Sequence, residues 1–107
     1  MKEFTLKLLY IPCSGFDEAK EIASTLIEEK LIACANIQKE ITSVYKWEGA
    51  MQSETESLLI LKTSDQLAEA TSQRVHELHS YDCPCILSYN AESESKGYAD
   101  WIIKQLG

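Results

Sequence analysis

From Leu31 to Leu61 the chain reads as two extended runs joined by one tight turn, and nothing else in the sequence limits the fold so strongly. Leu31, Ala33, Ala35, Ile37, Ile41, Tyr45 and Trp47 share one parity, while Asn36, Gln38, Glu40, Thr42, Lys46 and Glu48 fill the other. Such alternation marks a strand with one dry face. Ile32, Cys34 and Val44 are exceptions, and the pattern is interrupted near "QKE". The turn falls at Glu48-Gly49 in "WEGAM", and a second strand follows, polar through "QSETES" and apolar through "LLIL". Both strands exceed the usual five or six residues. One small core cannot cover them, so their outer halves, with Tyr45 and Trp47 near the tip, call for a partner surface. Self-association supplies it most economically.

The remaining elements follow from period and punctuation. "FTLKLLYI" predicts a buried strand ended by "PCSGF". Ser14 and Asp17 have capping-box spacing, and Ala19, Ile22, Ala23, Leu26 and Ile27 then recur at helical spacing. Lys30 falls in the last turn, where a cation suits the dipole. "TSDQL" opens a second helix with Thr63 or Ser64 as its cap, and Leu67, Thr71, Val75 and Leu78 form its inner stripe. "CILSYNA" is a short strand, and "SESKGYADWIIKQL" a final helix burying Tyr98, Ile102 and Leu106. The order β-α-β-β-α-β-α predicts an α+β, ferredoxin-like sandwich: two split βαβ units, a four-stranded antiparallel sheet with helices on one face, and an added C-terminal helix. With 107 residues, one domain spanning 1–107 is expected.

Charge narrows the partners. Seventeen acidic against ten basic side chains give a net charge of -7, which repels phosphate backbones and argues against nucleic acid. No apolar run approaches the roughly 20 residues that span a bilayer. The opening "MKEFTLKLLYIPC" has too short an apolar stretch for an export signal. A cytoplasmic protein without a membrane partner is expected, with Cys13, Cys34, Cys83 and Cys85 as reduced thiols. Cys34, in "LIACANI", reads as a small core residue.

"HSYDCPCI" at 79–86 concentrates the reactive side chains. Cys83 and Cys85, two residues apart on a strand, would face one side and can chelate a soft ion; they can equally be strand residues packed beneath a helix. A lone C-x-C lacks the second ligand pair that makes zinc motifs specific. His76 and His79 are helical i, i+3 neighbours, which permits joint coordination, although an exposed helix face explains His76 as well. No Ser-His-Asp set, Gly-rich phosphate loop or H-E-x-x-H is found, so no enzyme is expected. The only arginine, Arg74, lies on the second helix, which excludes the early anion loop of an acylphosphatase. The first loop offers one thiol, unlike the C-x-x-C of metal-chaperone domains.

Taken together, "TSVYKWEG", "ESLLILKT", "ELHSYDCP", "GYADWI" and "EEKLIACANI" resemble the CutA family of divalent-cation tolerance proteins over nearly the whole chain. The resemblance implies a homotrimer closed through the long hairpins, and a link to tolerance of copper or another divalent cation. It also implies metal-ligand positions at Cys13 and His79, the only ones it assigns; thiolate and imidazole suit copper or zinc. The family form H-P-Y-x-x-P-E is altered here by Ser80 and Cys85, which makes Cys83 and Cys85 substitute thiols. Lys62, Tyr81, Trp47, Glu56 and Tyr98 match positions near an inter-subunit groove. A lysine with aromatic walls would suit a small anionic metabolite, which gives a second reading as a signalling or scaffold protein. The plainer alternative is interface packing, with Lys62 paired to Glu56 or another carboxylate.

Overall fold

A computed structural model of the chain describes residues 4–107; residues 1–3 of the export-signal test lie outside that range. Seven elements follow in order: β1 (Leu6–Cys13), α1 (Phe16–Glu28), β2 (Cys34–Trp47), β3 (Ala50–Ser64), α2 (Ala68–Leu78), β4 (Leu87–Ala91) and α3 (Lys96–Leu106). The strands form one antiparallel sheet in the order β2-β3-β1-β4, the ferredoxin-like arrangement that the sequence predicts.

Register decides which residues form the core. Leu9 pairs with Leu61 and Ile11 with Leu59, and these four pack against Ala19, Ile22 and Leu26 of α1 and Val75 of α2. The helices of the two split units thus share one sheet face. The intervening positions, among them Leu8, Tyr10, Leu58, Ile60 and Lys62, point the other way by strand alternation. The added helix α3 reaches that second face at one end: Ile102 packs with Leu6, and Lys62 donates to the Tyr98 hydroxyl at 3.2 Å. Among the described residues, no helix covers the rest of that face.

The hairpin gives the molecule its 52 Å long axis. Glu48 (φ 51°) and Gly49 (φ 82°) both adopt left-handed backbone, the two-residue turn whose twist matches a hairpin. The interruption near "QKE" is a β-bulge: the partner register moves from Gln38↔Leu58 to Ile41↔Glu56, leaving one extra residue on β2. Ser57 donates its hydroxyl to the Lys39 carbonyl at 2.6 Å and satisfies the bulged backbone. The extra residue corrects the expectation of one dry face. Ala35 and Ile37 lie on the α1/α2 face, paired with Leu61 and Leu59, but Ile41, Tyr45 and Trp47 lie on the opposite one.

Other local readings also change. Ser14 reaches Glu18, not Asp17. Lys30 is not in the last turn of α1 but past its end at φ 60°. There Lys30 N–H donates to Ile27 and Leu31 N–H to Leu26, a Schellman closure. Thr63 belongs to β3 and is no helix cap; its hydroxyl and that of Thr71 both donate to the Leu31 carbonyl. Ser64 Oγ accepts from Leu67 N–H just before α2. Cys34 is half-buried at the start of β2, outside the main core.

Candidate metal centre

Three chain segments deliver donors to one place. Cys13 closes β1 on the α1/α2 face and is fully buried, its thiol donating to the Ile11 carbonyl at 3.7 Å. The Ser14-Gly15 turn then starts α1, whose first turn carries Glu18. Its Oε1 accepts from Ser14 N–H at 2.9 Å and Ser14 Oγ at 2.8 Å, and its Oε2 from Ser80 N–H at 2.7 Å. His79 follows α2 directly, with its N–H closing the helix on the Val75 carbonyl. One ligand atom from each of Cys13, Glu18 and His79 lies within 4.8 Å of the other two.

Hydrogen bonding fixes the imidazole tautomer. Nε2 lies 2.9 Å from the Pro12 carbonyl, which can only accept, so Nε2 carries the proton. Nδ1 accepts from Tyr81 N–H at 3.1 Å and lies 4.0 Å from Glu18 Oε2. Nδ1 therefore holds the lone pair and faces the carboxylate.

The donors differ in charge. Burial pushes the Cys13 thiol up to about 12, and the carboxylates of Glu18 and then Glu56 push the same way. Burial also pushes Glu18 upward, but hydrogen bonds from Ser14 and Ser80 outweigh it and hold its carboxyl down to about 2. The set is thus a protonated thiol, a carboxylate and a neutral imidazole, which together offer S, O and N ligands to a borderline or soft ion.

A second cluster adjoins the first. Glu56, nearly buried on the other sheet face, accepts from Ser43 Oγ at 2.5 Å and Tyr81 Oη at 2.7 Å. Burial, then the bond to Glu56, raises the Tyr81 hydroxyl above its ordinary range. Tyr81 therefore joins the two clusters, one through its N–H and one through its ring. A surface hollow of about 980 Å³, lined by Phe4, Leu6, Asn90 and Glu92 among others, touches none of these donors.

The other expected site residues fall elsewhere. Cys83 and Cys85 are not on a strand: β4 begins only at Leu87, and both thiols are exposed. Pro84, buried between them, has no N–H for a ladder. The alternative of thiols packed beneath a helix fails on the same exposure. His76 is exposed and lies outside the donor group. Within one chain the five groove residues split: Glu56 with Tyr81, Lys62 with Tyr98, and Trp47 alone near the hairpin tip. Lys62 is not paired to Glu56; it donates to the Tyr98 hydroxyl and lies 5.3 Å from that ring. Glu18 is the donor that sequence reasoning missed. Its signal was Ser14-x-x-x-Glu18, one residue longer than the capping box.

Residues 7–105 match the family model described as CutA1 divalent ion tolerance protein. The chain belongs to the CutA1 divalent ion tolerance family. Among its CutA relatives, the divalent-cation tolerance protein of Pyrococcus horikoshii is 35% identical over 92% of this chain and 95% of its own length. That of Thermus thermophilus is 36% identical over 94% and 98%. The chloroplastic CutA of Arabidopsis thaliana is 37% identical over 89% of this chain, but the match spans only 52% of that longer protein. Among solved CutA structures, CutA1 from Ehrlichia chaffeensis superposes with a TM-score of 0.94 at 33% identity, covering 99% of both chains. A CutA from Archaeoglobus fulgidus, described as periplasmic, gives 0.90 at 35% identity, covering 95% of this chain and 99% of its own.

Proposed function

We propose that this CutA-family chain serves divalent-cation tolerance by binding the ion rather than by catalysing a reaction, and that Cys13, Glu18 and His79 hold it. The observation that supports this reading is the convergence of one thiol, one carboxylate and one imidazole within 4.8 Å. Copper is the first assignment and another divalent cation the alternative, because sulfur and nitrogen donors favour ions late in the first transition row. The donors are already used by the protein, so an ion has to expel the Cys13 proton and displace Tyr81 N–H from Nδ1. A double positive charge beside Glu18 assists both events.

The working form in this reading is a cytoplasmic homotrimer of one-domain chains, with neither nucleic acid nor membrane as partner. Val44, Trp47 and Met51 on the hairpin are all more than 60% exposed in the single chain, and the second sheet face has a helix over one end only. Both favour association with further copies; the number three rests on the family resemblance. Among the described residues no helix is long and apolar enough to cross a membrane. Four free thiols are compatible with that compartment.

Anaerobic titration of the reduced protein with Cu(I), and separately with Zn(II), tests the ligand set. The Cys13→Ser/His79→Ala double variant is expected to lose at least the ~10–100-fold in affinity that removal of an outer-shell partner brings. Equal affinity in the two proteins removes these ligands.

A further inference from the structure

We infer that Cys83 and Cys85 form a second, separate chelate at the surface, which holds a thiophilic metal or metalloid ion between two thiolates. Three observations lead there. The residues read exposed, buried, exposed across Cys83-Pro84-Cys85, so Pro84 anchors the segment inward and the two thiols flank it at the surface. Neither thiol is in a disulfide. Finally, no strand or helix constrains 84–86, which leaves the thiols free to turn toward a common ligand.

Backbone chemistry favours an ion over a disulfide. Proline fixes its own φ and drives the preceding residue to extended conformation. With Pro84 extended, the flanking Cα atoms stand at most about 6.6–7.2 Å apart, at the edge of the roughly 6.8 Å that a disulfide tolerates. An ion bonded at about 2.3 Å to each sulfur bridges a wider gap, which rotation about the two Cα–Cβ bonds can close. Burial, then the field of Glu56, pushes the Cys85 thiol up, so an incoming ion has to expel its proton, while the net acidic chain attracts the cation.

Phenylarsine oxide is the probe, because stable capture needs two neighbouring thiols. Both S–H bonds break, two As–S bonds form, and the arsenic-bound oxygen leaves as one water, with no change of oxidation state. With the chain fully reduced by a phosphine, one adduct per chain is expected by intact mass under non-denaturing conditions, and two of the four thiols become unreactive to a disulfide reagent. Cys83→Ser and Cys85→Ser should each abolish the adduct. Both residues are exposed, so neither change disturbs packing. Cys34→Ser and the Cys13→Ser/His79→Ala variant should retain it, which keeps this test independent of the inner site. Absence of an adduct in the unmodified chain, its survival in Cys83→Ser, or its loss in Cys13→Ser/His79→Ala would overturn the proposal.

Discussion

The backbone N–H of Tyr81 donates to Nδ1 of His79 at 3.1 Å, and the two rings stand 4.7 Å apart. An ion on Nδ1 must take the place of that N–H. Because the same tyrosine holds Glu56 through its hydroxyl, the proposed occupation of the inner site would loosen a contact on the opposite sheet face and couple the two through one residue.

Tyr81→Phe isolates half of that link. It leaves the buried Glu56 carboxylate with Ser43 as its remaining hydroxyl donor. Loss of a hydrogen bond to a buried charged group costs about 1–3 kcal/mol. The urea midpoint should fall accordingly, while ion affinity should rise, because the contact that binding loosens is already gone and the backbone N–H remains. An unaltered midpoint refutes the Glu56 contact as a source of stability.

Acid sensitivity should trace to Glu18. Its carboxyl titrates near 2 in the folded chain against an ordinary 4.5, so the native state favours the ionised form. That contribution is complete above about pH 4.5 and disappears as pH falls toward 2. With the side chain partly open to water, it amounts to about 1–2 kcal/mol. Glu18→Gln should be less stable at pH 7 and lose less on acidification to pH 3. Parallel acid limbs for the two proteins in urea unfolding count against the Ser14 and Ser80 bonds.

Lys30 sits at φ 60° in the closure of α1, where a Cβ crowds the backbone. Lys30→Gly should raise stability by about 0.5–1 kcal/mol, read as a higher thermal midpoint. A lower midpoint shows that the lysine side chain outweighs its backbone strain.

Trp47 is 63% exposed in the single chain, so Trp47→Glu should leave the chain folded yet weaken assembly. Sedimentation at low micromolar concentration should give a trimer for the unmodified protein and smaller species for the variant. A stable, well-folded single chain in the unmodified sample removes the trimer from the proposed function.

Much of this architecture was legible before any coordinates. Period-two and helical spacing identified all seven elements, and Glu48-Gly49 marked the turn. The faces were harder. The parity of Leu31 to Ile37 resumes on the same odd positions after the interruption at "QKE", so the pattern does not show that the extra residue there exchanges the two faces. Helical spacing in α3 shows that Ile102 is buried, but not which side of the sheet it meets. At the site, Cys13 and His79 could be placed through the family, whereas Glu18 resembled any solvated acid of a first helical turn. Its part depends on Ser80, 62 residues away, a contact that local spacing does not encode. The two-residue spacing of Cys83 and Cys85 predicts thiols on one side of a strand, but Pro84 removes the N–H that a ladder needs and β4 starts only at Leu87.

The bulge at Gln38–Ile41 separates two kinds of evolutionary constraint along one hairpin. Below it, substitutions answer to the chain's own helices; above it, they answer to whatever neighbour lies across. Deleting a single amino acid there would swap inside for outside along the whole distal arm and spare the base. Relatives that gain or lose one residue at this point should therefore differ in how their subunits meet before they differ in how each one folds.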